Sequence, residues 1–278
     1  MRICFTSDLH GNEHLYAQLA DLVAAQSPEL LILGGDMFPD GDDGDPARSQ
    51  AAWVTRVHVP RLRQLLERRS KLIIANVSGN HDWQIADAAL RSACDSARLH
   101  ALDLNSRVSL GGHTFVGFGH TPPTPWHVKD FERLDLPGDA PPKDGGWRGD
   151  VAGVVAKHSS AAIFRADDSV QRLLDAASAP PAPWVLVSHA PPHGTRLDWL
   201  PDLDYPIGSR AVRAFIERAR PTLALHGHIH DSPTVTGGYF DTVGETFCVN
   251  PGQGGDRLHA VLFDLADPRG TIRHTVLG

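Results

Sequence analysis

Five short apolar runs in this chain of 278 residues all break off at the same kind of residue. They read RICFTSDLH, ELLILGGD, KLIIANVSGNHD, PWVLVSHAPP and TLALHGHIH, and each delivers Asp, Asn or His just past its apolar part. Brief apolar runs bounded by turn formers read as buried strands. In open α/β sheets the loops at the carboxyl ends of the strands converge, and ligands bind there. That convergence gathers Asp8, His10, Asp36, Asn80, His81, His189, His228 and His230 in one place.

Carboxylates and imidazoles buried together all offer lone pairs, and without a cation such a cluster is costly. One divalent ion takes about four to six ligands, so this set, with Asp36 bridging, suits two ions better than one. Taken singly, each piece has a plainer reading. Asp8 could cap a helix, Gly34-Gly35-Asp36 could be a tight turn, and Asn80 could supply a positive φ. The ordered set after five apolar runs is what points to metal chemistry.

The segments between the runs set the fold class. Residues 12–26 have apolar positions at Leu15, Leu19, Leu22 and Val23, the spacing of a helix, with Asn12 as its N-cap. A long helical stretch is expected over 47–69, kinked or divided near Pro60. Residues 107–120 read as two strands around a Gly-Gly turn, residues 159–177 and 209–219 as helices, and 247–249 and 259–265 as strands. Residues 121–153, rich in Pro, Gly and Asp with Trp126 and Trp147 inside, read as a long loop or lid. Strands alternating with helices early and β-rich segments late predict an α/β sandwich. No composition shift marks a second domain, so residues 1–278 are expected to form one domain carrying 121–153 as an insertion.

Composition narrows the function. The formal charge of −7 disfavours nucleic acid as a partner, since phosphate contacts along a strand need a basic stripe. Cys4, Cys94 and Cys248 are far apart and form no C-x-x-C pair, a pattern of a reducing compartment without a thiolate metal site. The first residues hold too short an apolar stretch for a signal peptide, and no run approaches a membrane span. The expectation is a cytoplasmic protein with no membrane partner. Nothing in the chain sets an oligomeric state.

The ordered motifs D-x-H, G-D, G-N-H-[DE], H and G-H-x-H resemble the signature of the calcineurin-like metallophosphoesterases. Here they stand as Asp8-Leu9-His10, Gly35-Asp36, Gly79-Asn80-His81-Asp82, His189 and Gly227-His228-Ile229-His230. They span residues 8–230, nearly the whole chain. SHAPPHGT, GHIHDS and VNPGQ are most similar to the subgroup of small bacterial and archaeal predicted phosphoesterases. The departure is the long 121–153 segment, which bears on substrate choice and not on the metal site.

The resemblance implies a four-layer αββα sandwich with a dinuclear centre. Asp8, His10 and His230 would hold one metal, and Asn80, His189 and His228 the other, with Asp36 bridging. His81 would assist the leaving group, with Asp82 orienting it. A hydroxide shared by two ions would be the nucleophile, hydrolysing a phosphodiester or phosphomonoester of a small phosphorylated substrate. Ligands without thiolate favour Mn, Fe, Zn or Ni, with manganese the ion expected to serve in assays. A nuclease on the same scaffold, or a metal-binding scaffold protein without turnover, are the competing functions.

Other groups get a weaker reading. His226 reads as a core residue or one that supports the ligands from behind. His193 could reach a substrate phosphate or lie in an exposed loop, and His120 and His127 could line the site. The acidic run DGDDGDP at 40–46 lacks EF-hand spacing, with Ala51 where a bidentate Glu would fall, and reads as a solvated loop. Asn250-Pro251-Gly252 could approach the metals or simply turn. Trp126, Phe131, Lys143 and Trp147 of the insertion could cover the site and stack on a substrate ring, or pack against their own domain.

Overall fold

Alternation along the strands decides how the layers stack. In β1 (Arg2–Thr6) and β2 (Leu30–Leu33), Ile3, Phe5, Leu30 and Ile32 enter one core cluster, while Cys4, Leu31 and Leu33 enter another. A period of two with both faces apolar requires cover on both sides. The computed structural model describes residues 1–41, 44–94, 97–150 and 152–277. The remaining strands are β3 (Ile73–Asn76), β4 (Leu99–Ala101), β5 (Val108–Leu110), β6 (His113–Phe118), β7 (Gly146–Gly149), β8 (Val155–His158) and β9 (Trp184–Ser188). After them come β10 (Leu223–Leu225), β11 (Phe240–Val243), β12 (Thr246–Val249), β13 (Val261–Asp264) and β14 (Arg273–His274).

Two six-stranded sheets result, in the orders β14-β13-β1-β2-β3-β4 and β11-β12-β10-β9-β6-β5. Their facing sides meet in one apolar layer, where Ile3, Phe5 and Ile32 of the first sheet join Val185, Val187, Leu223 and Leu225 of the second. Burying each such side chain contributes about 1.5–3 kcal/mol. Leu15, Leu19, Val23, Leu62 and Leu90 of the helices cover the outer face of the first sheet. Val170, Leu174, Val212 and Phe215 cover the second. The order helix, sheet, sheet, helix is the expected four-layer αββα sandwich.

Asn12 caps the helix Glu13–Gln26 as expected, its side chain accepting from the amides of His14 and Leu15. The stretch 47–69 is divided near Pro60, as expected, by a π-helix that ends two residues before it. The helix Pro46–Trp53 passes into a π-helix, Val54–His58, and then into the helix Val59–Arg68. Pro60 sits in the first turn of that last helix, where its missing N–H costs little, and the wide turn before it takes up the irregularity. Residues 159–177 also break in two, into Ser160–Ile163 and Val170–Ala176, because Ser169 starts a new helix by accepting from the amide of Arg172. The helix Gln84–Ala93 and the strands β4, β8, β11 and β14 go beyond the sequence reading, being short or without clean periodicity.

The segment 121–153 is not a free loop. It is stitched by bridges between Thr121 and Glu132 and between Val128 and Trp147, and β7 pairs with β8. Within the acidic run, Asp42 and Asp43 lie outside the described residues. Asp45 caps the helix Pro46–Trp53 by accepting from the amide of Arg48 at 3.2 Å, so this end of the run is structural. Among the described residues, no helix is long and apolar enough to cross a membrane.

His58, at the end of the π-turn, is fully buried among Tyr16, Phe38 and Trp53. Its Nδ1 lies 2.9 Å from the Tyr16 hydroxyl, and burial pushes its pKa down to about 3. Between pH 6.5 and that value the unfolded chain binds a proton that the native ring does not. The contribution is therefore complete above pH 6.5 and shrinks as the pH falls. At pH 5 the loss from this ring amounts to about 2 kcal/mol. Denaturant unfolding of wild type and His58→Gln at pH 7 and pH 5 should show a shallower acid loss in the variant. Equal losses would reject this role.

Candidate metal centre

Four of the residues singled out by sequence hold a backbone conformation that side chains rarely adopt. Asp8, His10, Asp36 and His228 have φ of 61°, 45°, 52° and 67°. Positive φ at non-glycine residues is sparsely populated and clusters at functional sites. Interlocked loops impose it here. The amide of Asp8 donates to Gly35 O, that of His10 to Asp36 O and that of Gly11 to Met37 O, each at 2.9 Å. Parallel pairing of β1 with β2 and of β2 with β3 brings these loops side by side. The motif glycines follow from the crowding. A Cβ on Gly79 would collide with Asp36 Oδ1, and one on Gly227 with Asp8 Oδ2.

The side chains fall into adjoining groups. Asp8, His10 and His230 place ligand atoms within 4.8 Å of one another, and so do Asp36, His189 and His228. His230 Nε2 is 3.2 Å from Asp8 Oδ1 and 3.4 Å from His10 Nε2. His189 Nε2 is 3.2 Å from Asp36 Oδ2 and 3.8 Å from Asp8 Oδ1, which links the groups. Asn80, next to His81 in the chain, is buried, and its side-chain oxygen has no hydrogen-bond partner.

The charges are strongly coupled. Burial alone would raise the Asp8 and Asp36 carboxyls, yet His230 and His189 at Asp8, and His189 at Asp36, hold both well below the usual carboxylate range. Burial opposes a charged His189, but the Asp36 and Asp8 carboxylates override it and lift that ring to about 10. Burial, reinforced by the neighbouring His189, holds His228 down to about 3. A proton on His189 thus neutralises part of a cluster that two cations would neutralise better. The donor set fits divalent ions. His189 donates its Nδ1–H to Gly34 O at 2.8 Å, which leaves Nε2 to face the carboxylates, and that nitrogen lacks hydrogen-bond alignment to them. With Asn80 Oδ1 also unpartnered, two buried donor atoms point to ligands other than protein.

His81 stands beside these groups. Its amide donates to Asp36 Oδ1 at 2.8 Å, and its ring meets His10 edge-on at 4.7 Å. The orienting partner is not the one expected. Asp82 accepts from the amide of Gly79 at 2.8 Å, its other oxygen has no partner, and it makes no bond to the His81 ring. Burial and the nearby Asp36 raise its pKa well above the usual range. The carboxylate at His81 Nδ1 is Asp40, at 3.2 Å. His10, Asp40 and His81 form a third group of close ligand atoms. Asp82 points back into its own turn because the G-N-H-D turn needs a carboxylate to hold its first amide.

Three supporting residues went unrecognised or half-recognised in the sequence. Buried Gln50 donates to Pro39 O at 2.8 Å and His81 O at 3.0 Å, and accepts from the amide of Trp83 at 2.7 Å. It thereby ties the loop of Asp40 to that of His81. His226 places Nδ1 within 3.0 Å of Ser188 O and 3.1 Å of Ala190 O, pinning the chain on both sides of His189. Asn250 does not turn toward the ligands. Its side-chain nitrogen donates to Leu197 O, Gly227 O and Ile229 O and braces the G-H-x-H loop. A lone glutamine on a helix carries no sequence signal, whereas His226 and Asn250 are flagged by their neighbours.

The other candidates separate. His120 packs between Phe118 and Phe131, so Phe131 serves the insertion's own packing. His193 lies 3.8 Å from the Asp198 carboxylate, and Lys143 is exposed. Trp126 stacks on His81 with centroids 4.3 Å apart and planes at 19°, and His127 packs against Trp126 at 4.5 Å. A cavity of about 870 Å³ opens beside Asp40 and His127, lined also by Arg48, Trp83, Trp147 and Val154.

Comparison with curated proteins gives no match. Among solved structures, the protein TT1561 of Thermus thermophilus is similar at 16% identity and a TM-score of 0.63, covering 100% of this chain and 99% of that one. A dimetal phosphatase from Danio rerio is similar at 13% identity and a TM-score of 0.50, covering 94% and 92%. At these identities the likeness is one of fold. The family model for calcineurin-like phosphoesterases matches residues 1–232 and so takes in every motif from Asp8 to His230. The chain belongs to the calcineurin-like phosphoesterase family.

Proposed function

We propose that this protein hydrolyses phosphate esters of small molecules with two divalent ions and with His81 as the acid at the leaving oxygen. Membership of the family makes it a metal-dependent hydrolase, and the finer reading rests on the paired ligand groups. Asp8, His10 and His230 would hold one ion, His189, His228 and Asn80 the other, and Asp36 both. The single observation that carries this is the contact of His189 Nε2 with Asp36 at 3.2 Å and with Asp8 at 3.8 Å, which joins two sets of ligands into one centre. When bound, the ions neutralise phosphoryl oxygens and supply a nucleophile near neutral pH.

The chain's own residues do the rest. His10 and the Asp36 bond to its amide place His81 at the edge of the centre. Asp40 takes the hydrogen bond of Nδ1, which leaves Nε2 to deliver a proton to the departing oxygen. The cavity beside Asp40 has the volume of a site for a small organic molecule, larger than a phosphate alone requires. That supports an ester with a substantial leaving group, diester or monoester. The charge of −7 supports a small phosphorylated substrate over nucleic acid. The donor chemistry admits Mn, Fe, Zn or Ni, and manganese is the ion to supply in assays. The wide spacing of the cysteines along the chain, with no C-x-x-C pair, supports a cytoplasmic location.

Mass spectrometry of the manganese-reconstituted protein should find two ions per chain, with turnover of bis-nitrophenyl phosphate. Fewer than one ion, and no turnover, would defeat the proposal. Asp36→Asn should lower metal content and activity together. His81→Ala should keep its metal but lose about 100-fold in kcat on an unactivated phenyl ester, with a far smaller loss on the nitrophenyl ester. Asp40→Asn should lose about tenfold on the phenyl ester. An unchanged rate in Asp40→Asn would remove Asp40 from the mechanism.

A further inference from the structure

The insertion reaches the candidate centre through one side chain. Trp126 lies face to face with His81, 4.3 Å between centroids and 19° between planes. His10 meets the same imidazole edge-on, and Asp40 bonds its Nδ1. The ring is thus bounded on a face, an edge and one nitrogen, which leaves a single orientation. A tryptophan that only needed cover would not require a parallel imidazole as its neighbour, and its Nε1 finds no hydrogen-bond partner here.

The segment holding Trp126 is built more rigidly than its Pro- and Gly-rich sequence predicts. The Lys129–Glu132 ion pair, 2.7 Å apart, is almost wholly buried, at 2% and 0% side-chain exposure. Lys129 Nζ also donates to Thr124 O at 2.8 Å, while Glu132 accepts from the Thr124 amide at 2.9 Å and from its hydroxyl at 2.5 Å. The Thr124 hydroxyl oxygen in turn accepts from the amide of Trp126 at 3.1 Å. Every charged atom is engaged, the condition under which a buried pair rigidifies its surroundings. Gly146 lets β7 close over this pair, since a Cβ there would fall 2.5 Å from Lys129 Cγ. Asp130 finishes the attachment, accepting from the amides of Gly149 and of Gln84, each at 2.8 Å. Gln84 stands three residues after His81, so the clamp and the residue it clamps share one support.

We propose that Trp126 is a positioning residue for His81, and that the buried Lys129–Glu132 pair exists to hold it there. The proposal rests on the reading of His81 as the acid at the leaving oxygen. A misoriented acid matters only where the leaving group needs its proton, so the effect depends on the leaving group.

The test uses the full-length, manganese-loaded protein with nitrophenyl and phenyl esters of the same phosphate. Trp126→Ala should keep its metal content and lose about tenfold in kcat on the phenyl ester, staying within about twofold on the nitrophenyl ester. Trp126→Phe, which retains a flat face, should recover most of the loss. Equal losses on both esters, or none, would overturn the proposal. His81→Ala serves as the control. If it too shows no dependence on leaving group, the reading of His81 fails and Trp126 with it. If His81→Ala shows the dependence and Trp126→Ala does not, the positioning role alone falls. A measurement on the metal-free wild type needs no variant to fold. Ring-current shielding from Trp126 should move the His81 imidazole proton resonances upfield, and unshifted resonances would overturn the stack.

Discussion

Asp8 and Asp36 are buried carboxylates whose loops hydrogen-bond to each other, and the architecture around the site can be read as what makes that tolerable. Two acids so placed repel each other and have lost their water, so they remain ionised only against positive charge. The His189 ring, lifted to about 10 by these carboxylates, supplies it, His230 is shifted up by Asp8 in the same direction, and divalent ions would supply it more fully. The interior of an αββα sandwich cannot offer this charge from its apolar layers. The carboxyl ends of two sheets can, because their loops converge without breaking the cores.

Holding the loops is a separate task from supplying ligands, and different residues perform it. Gln50 joins the loops of Asp40 and His81, His226 brackets His189, and Asn250 braces the G-H-x-H turn. All three bond to backbone carbonyls of the loops that carry the candidate ligands and His81. That division suits a centre whose ligands adopt strained backbone, since the strain persists only where surrounding bonds over-determine it. The glycines at positions 79 and 227 belong to the same scheme, clearing space for carboxylates that press against the main chain.

The insertion adds a second layer of control. Its buried ion pair and its link to Gln84 hold it in place, with Trp126 against His81 and with His127 and Trp147 lining the cavity beside Asp40 and Arg48. The candidate metal ligands come from motifs in the sandwich, while the surroundings of His81 and the cavity come largely from outside them.

The strands, their polar ends and the ligand types were legible along the chain. Short apolar runs with period-two burial need cover on both faces, and acids and imidazoles in that order after them have few physical uses. Partners that meet only in space were not legible. Asp40 is one acid among several in DGDDGDP, and nothing local separates it from Asp82, the nearer carboxylate in sequence to His81. Trp126 lies in a stretch whose composition predicts a loose loop, because the pairing of Lys129 with Glu132 and the docking on Gln84 depend on long-range burial that composition does not encode. The π-turn before Pro60 and the break at Ser169 are likewise settled by what packs around them. Periodicity and turn chemistry are local properties and can be read along the chain, whereas which carboxylate reaches which imidazole is a matter of distance across the fold.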